Sequence, residues 1–171
     1  ARPYVDEVGA DPGRLRIGLL DSFPDGRPVH PDCRDAVASA AALLESLGHH
    51  VEPGFPAVMA NPEFARKFAA LWSTNMGASF ARVAQQVGRE LQPGDVELVN
   101  WAQAEYARQF NGVDYALALA ANVEFRRAVQ GWWAEGWDLL LTPTLAEPPT
   151  RLGEFTNDPD APMAPMVRAG Q

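Results

Sequence analysis

Lysine and cysteine are the residues this chain has least of. Cys33 is the one cysteine among 171 residues, which excludes an internal disulfide framework and leads us to expect a reducing, cytoplasmic compartment. Lys67 is the one lysine among fourteen basic residues, so chemistry that needs a lysine base has a single candidate. Positive charge is scarce overall. The net charge is −8 and the pI is near 4.8, so neither nucleic acid nor an anionic membrane is expected as a partner. Long apolar runs are missing as well. The chain opens Ala-Arg-Pro-Tyr-Val-Asp-Glu without a signal run, and no window approaches the roughly 20 apolar residues that span a bilayer.

Several familiar motifs are also absent. No G-x-G-x-x-G or G-x-x-x-x-G-K run follows a strand, and no G-x-S-x-G elbow occurs. The serines are Ser22, Ser39, Ser46, Ser73 and Ser79, none with a lysine three residues on. The adjacent His49 and His50 point to opposite sides of a strand, and His30 has no helix-spaced partner, so no metal site is expected. No organic cofactor is expected either.

What is present is enough for a core, with 47% apolar against 21% charged residues. Trp137-Asp138-Leu139-Leu140-Leu141-Thr142-Pro143-Thr144 organises the chain. Three consecutive leucines read as a short strand buried on both faces, as in a parallel sheet covered by helices. Pro143 cannot join a ladder and ends the strand at Thr142. Ahead of it, Arg2–Arg14 is a turn-rich linker and Leu15–Leu20 is a first strand. Pro31 opens a helix through Val37, Ala40, Ala41, Leu44 and Leu47, which Gly48 stops. His49–Pro53 is a second strand, completing a βαβ unit.

Asn61 caps a long helix whose apolar face runs Phe64, Phe68, Leu71, Trp72, Met76, Phe80, Val83 and Val87, with Asn75 and Ser79 on the same face. Asp95 is the expected cap of a helix carrying Val99, Ala102, Tyr106 and Phe110. Asp114 is the expected cap of a third, carrying Leu119, Val123, Val129, Trp132 and Trp133. The proline-rich tail from Thr144 to Gln171 is loop. About three strands emerge, where a typical sheet has roughly five or six. The fold class is therefore α/β: part of a mixed β-sheet core covered by helices, incomplete in this chain and cut from a larger protein. The divisions are strand–helix–strand at 13–54, a helical region at 61–136, and a strand with a proline-rich loop at 137–171.

Among polar residues, Cys33 sits in the first turn of a helix, a setting in which reactive thiols occur, and His30 is close enough in sequence to be suspected as its base. Simple packing at a helix start accounts for Cys33 better. Asp21 and Asp25 read as solvated turn residues, and Trp132-Trp133 as core and boundary packing. Asn75 and Ser79 interrupt an aromatic helical face, where an amide is either satisfied by backbone or offered to a ligand. Thr142-Pro143-Thr144 follows a buried strand, where ligands bind in open α/β sheets. These residues by themselves show no catalytic apparatus. A self-contained, non-catalytic small-molecule-binding or interaction domain is the alternative they allow.

Asp138-Leu139-Leu140-Leu141-Thr142-Pro143-Thr144, then Glu147-Pro148-Pro149 and Arg151-Leu152-Gly153-Glu154, resembles the post-helical segment of amidase signature enzymes. Gly13–Leu20, His30-Pro31-Asp32 and Ala42–His49 resemble the strand and helix after that family's catalytic core. The two matches stand in the family's order and frame nearly the whole chain, which as 1–171 is a partial amidase domain. The resemblance implies an amidase that hydrolyses linear or cyclic carboxamides through a serine acyl-enzyme, with two serines and a lysine as triad and backbone N–H groups holding the oxyanion. It implies a small-molecule amide as partner and leaves room for a homodimer. The pattern is broken here: Lys67 lies in a helix beside Arg66 and Phe68, and no Gly-Gly-Ser-Ser stretch occurs. No catalytic residue carries over, and the triad is expected before Ala1. What carries over is a pocket wall, formed by Thr142, Pro143 and Thr144 together with Trp72 and Asn75. The chain alone is expected to be inert, with an exposed apolar sheet edge.

Overall fold

The computed structural model describes residues 3–169. The Arg2 start of the predicted linker and the Gln171 end of the predicted tail lie outside the described residues. Two compact units form: the residues up to Ala57 together with Val129–Pro148, and Val58–Ala128 together with the residues from Pro149.

The first unit is built on β1 (Arg16–Leu19), α1 (Pro31–Ser46), β2 (His50–Pro53) and β3 (Leu139–Leu141). Local signals set the start and stop of α1. His30 caps it, with Nδ1 accepting the Asp32 backbone N–H at 3.2 Å, and Pro31 occupies the first position, where its missing N–H costs nothing. Gly48 adopts a φ of 92° just beyond the end, a left-handed turn that a side chain would resist. The βαβ unit then closes in parallel, with Ile17 opposite both Val51 and Leu139.

The order of the sheet is β2-β1-β3, and this corrects the expectation for the leucine strand. β1 is central and β3 is an edge, so Leu139 is 47% exposed and Leu140 and Leu141 are only half-buried. A strand with a neighbour on one side cannot be covered as a central strand is. The strand also stops at Leu141, one residue short of the predicted Thr142.

Burial concentrates instead on β1. Ile17 is buried with Val37, Ala41 and Trp132, and Gly18 lies against the edge of the Trp132 ring. Trp132 stacks on Trp137 with centroids 4.8 Å apart, and the Arg16 guanidinium lies 3.8 Å from the Trp137 ring centroid. Arg16 Nε also donates to Glu52 at 2.7 Å, and that hydrogen bond holds the Glu52 carboxyl below its ordinary range. Trp133 is partly exposed, so the expected core-and-boundary pair holds.

The second unit contains α2 (Pro62–Val87), α3 (Leu98–Ala107), most of α4 (Gly112–Ala134) and α5 (Ala164–Ala169). Asn61 Oδ1 accepts the Glu63 N–H at 3.0 Å to start α2. Ala70, Leu71 and Ala118 are the buried centre, with Phe110 and Tyr115 packed against them. Four expectations change here. The predicted apolar face of α2 is only partly covered, with Phe68, Trp72, Val83 and Val87 exposed. Asn111, not Asp114, caps α4: its Oδ1 accepts the N–H groups of Val113 and Asp114, while Asp114 returns a bond to the Asn111 N–H. The tail is not all loop, because α5 forms with Pro165 in its first turn, where proline is tolerated.

The fourth concerns Asp95. The N-cap of α3 is Glu97, without a side-chain bond, and Asp95 braces the turn before it. Arg89 grips its carboxylate with two N–H groups, at 2.6 and 2.8 Å, and the Gln92 N–H adds a third bond at 2.7 Å. These bonds, Arg89 first, hold the Asp95 carboxyl well below the usual aspartate range. A depressed carboxyl stabilises the fold above its unfolded pKa of about 3.9, and the benefit fades as pH falls below that. Asp95→Asn should therefore flatten the acid limb of a plot of urea midpoint against pH and leave its slope near neutrality unchanged. An unaltered acid limb would show that this pair contributes nothing.

Among the described residues no helix is long and apolar enough to cross a membrane.

Candidate functional site

The first group of predicted site residues lies beyond the carboxyl ends of the parallel strands. β1 runs into Leu20 and Asp21, and β3 into Thr142-Pro143-Thr144. The Leu20 N–H donates to Leu141 O at 3.0 Å, and the His30 N–H donates to Ala146 O at 2.7 Å, tying the loop after β3 beside the start of α1. Thr142 and Thr144 are exposed and Pro143 is half-buried. The Thr142 hydroxyl donates to the Pro143 carbonyl at 3.1 Å. This is the position from which such loops reach ligands. A hollow of about 240 Å³ opens near this end of the sheet, lined by Asp21, Pro31, Arg34 and Asp35 among others, but not by the threonine loop.

The second group stands on α2. Trp72 continues an aromatic row: Phe125 stacks on Phe64 at 3.7 Å, Phe64 lies 6.0 Å from Phe68, and Phe68 lies 5.9 Å from Trp72. The outer part of the row is open, with Phe68 43% and Trp72 51% exposed. The Trp72 indole N–H is turned to protein, donating to Gln103 Oε1 at 3.0 Å. Asn75 is exposed rather than set into an apolar face. Its Nδ2 donates to Leu71 O one turn back at 2.8 Å, a common helical use of a short polar side chain. Ser79 is half-buried and accepts from Arg82 at 3.1 Å.

Sequence reasoning missed Gln103, which is 3% exposed and is the acceptor for Trp72. The signal was there: Gln103 lies four residues after Val99 and seven before Phe110, both assigned to one face of the predicted helix. Tyr106, assigned to that face, is partly exposed. A separate hollow of about 560 Å³ lies between α2 and α3, lined by Thr74, Gly77, Phe80, Trp101 and Arg108 among others. Neither Trp72 nor Asn75 lines it.

Neither group forms a nucleophile with a base. Lys67 is exposed on α2, and among the described residues no serine is hydrogen-bonded to it or to a histidine. Cys33 is half-buried, and His30 uses its Nδ1 as a helix cap. His49 Nδ1 accepts the Leu15 N–H while His50 turns to Glu52, so the two histidines serve different neighbours. Among the described residues no group of three or more His, Cys, Asp or Glu could hold a metal ion.

The parallel strand–helix–strand frame, with a helical region before its third strand, places the chain in the α/β class. Residues 1–167 match the family model described as Amidase, and the chain belongs to that family. It is 31% identical over 156 residues to the 6-aminohexanoate-cyclic-dimer hydrolase of Paenarthrobacter ureafaciens, covering 91% of this chain and 32% of that protein. A solved structure of 6-aminohexanoate cyclic dimer hydrolase superposes with a TM-score of 0.84 at 31% identity, over 90% of this chain and 32% of the other. A bacterial aryl acylamidase of the amidase signature family shares the fold, with a TM-score of 0.67 at 19% identity over 86% of this chain and 30% of that one. The chain thus spans about a third of the length of these relatives.

Proposed function

We propose that this chain is part of an amidase that hydrolyses carboxamide C–N bonds through a serine acyl-enzyme, and that it supplies binding surface rather than the reacting groups. The match to the Amidase model over residues 1–167 carries this proposal. The relatives named as cyclic-dimer hydrolases support a linear or cyclic carboxamide as the substrate class. Thr142, Pro143, Thr144, Trp72 and Asn75 are the residues proposed to face that substrate. The serine attacks the amide carbonyl, a base takes its proton, and the amine leaves with a proton, giving an ester that water then cleaves. The single Cys33 supports a cytoplasmic location.

A serine-reactive fluorophosphonate tests this division of labour. The enzyme that carries this chain should become labelled, with the adduct outside residues 1–171, and the chain alone should remain unlabelled and inactive on simple amides. An adduct on Ser22, Ser39, Ser46, Ser73 or Ser79 would overturn the proposal.

A further inference from the structure

We infer that Gln103 is a positioning residue for substrate binding, fixing the Trp72 indole as one wall of the site. The inference rests on the proposal that Trp72 faces the substrate. Three observations within the helical unit carry it. Trp72 is half in solvent, yet its ring is not left to rotate: the indole N–H is tethered to Gln103 Oε1 at 3.0 Å. Gln103 is itself 3% exposed, which makes it one of two buried polar residues among those described, the other being Ser73. Its remaining end is held too, with Nε2 donating to the Met166 thioether of α5 at 2.9 Å. A buried amide bonded at both ends has one usable orientation, because a flip would set its NH2 against the indole N–H. Phe68 closes one side of the indole with its ring tilted 40°.

This arrangement determines what the wall offers. The indole N–H is used on the protein side, so Trp72 presents aromatic surface and no donor. One turn on, the Asn75 Nδ2 is bonded to Leu71 O, which leaves the Asn75 carbonyl oxygen as the part that can meet a ligand. An apolar stem against Trp72 and Phe68 with an N–H donor toward Asn75 is the complementary chemistry, and an aliphatic secondary amide has both. A ring held in place before binding loses little rotamer entropy when the substrate arrives, so the tether should act on substrate affinity more than on the chemical step.

The test uses the whole enzyme that carries this chain, with an aliphatic secondary amide as substrate. Trp72→Ala should raise KM about tenfold, equivalent to about 1.4 kcal/mol. Gln103→Leu should raise KM by at least half as many log units, with kcat within about twofold. The pair should be non-additive, since removing the ring leaves nothing for Gln103 to position. In ¹⁵N-tryptophan spectra, the indole signal lost in Trp72→Phe should exchange with solvent faster in Gln103→Leu. If Gln103→Leu does not fold, Met166→Leu frees the other end of the amide and should raise both KM and indole exchange in the same direction. A KM raised by Trp72→Ala but unmoved by Gln103→Leu, or by Met166→Leu where it stands in, overturns the positioning role. A KM unmoved by Trp72→Ala removes Trp72 from the site, and the positioning role falls with it.

Discussion

Gly18→Ala should destabilise the chain by about 3 kcal/mol or more, the upper end for an overpacked core. Propensity alone gives the opposite sign, because alanine in place of glycine inside a strand is favoured by roughly 0.5–1 kcal/mol. Geometry decides between them. A Cβ on Gly18 would stand 2.7 Å from Trp132 Cζ2 and 2.9 Å from Cη2, and would press still harder on the Gly54 carbonyl oxygen. The tryptophan could swing away only by abandoning its stack on Trp137. Gly54 is the backbone that continues from β2, and its own missing side chain makes room for Trp137 Cη2, 2.6 Å from where a Cβ would be. Neither neighbour can yield cheaply. The urea midpoint of the chain carrying Gly18→Ala is the measurement, and a midpoint equal to or above that of the parent would show that the stack relaxes freely.

Such a glycine is not visible as a packing residue in the sequence. Gly18 reads as one small residue in Leu-Arg-Ile-Gly-Leu-Leu, and nothing local shows that an indole from more than a hundred positions later lies on it. The same limit explains the other differences. The ends of α1 and the start of α2 were legible because His30-Pro31, Gly48 and Asn61-Pro62 act on their own turns. The leucine strand was legible as a strand but not as an edge, since its neighbours depend on the order β2-β1-β3 and not on composition. On α4, the correct cap lay three residues from the chosen one, because Asn111 and Asp114 bond to each other and either could have led. The candidate site divides in the same way. Strand-end logic points to Thr142-Pro143-Thr144, and the structure sets that loop directly after β3. Gln103 was passed over because a helical stripe is judged by its apolar members, and a polar residue on that stripe declares itself only when its partners arrive from α2 and α5.

Trp132→Ala should cost about 3–5 kcal/mol, in the range for deleting a large buried aromatic. Trp132 is 7% exposed and makes two ring contacts, edge-on to Trp133 at 4.6 Å and face-on to Trp137 at 4.8 Å. Removing it uncovers Gly18 on the central strand and strips one face of Trp137, which the Arg16 guanidinium also contacts. Trp132→Phe keeps an aromatic face toward Trp137 and should lose clearly less. The sharper expectation is coupling. In the Trp132→Ala background, the obstacle that Trp132 poses to a Cβ at position 18 is gone, while the Gly54 carbonyl oxygen remains. Gly18→Ala should then cost less than in the parent by about 1 kcal/mol or more, within the span measured for residues in direct contact. Urea denaturation of the two single variants and the double variant completes the cycle. Additivity to within about 0.5 kcal/mol would mean that the indole and the glycine are independent. In that case the Gly54 carbonyl would be the sole reason that position 18 excludes a side chain.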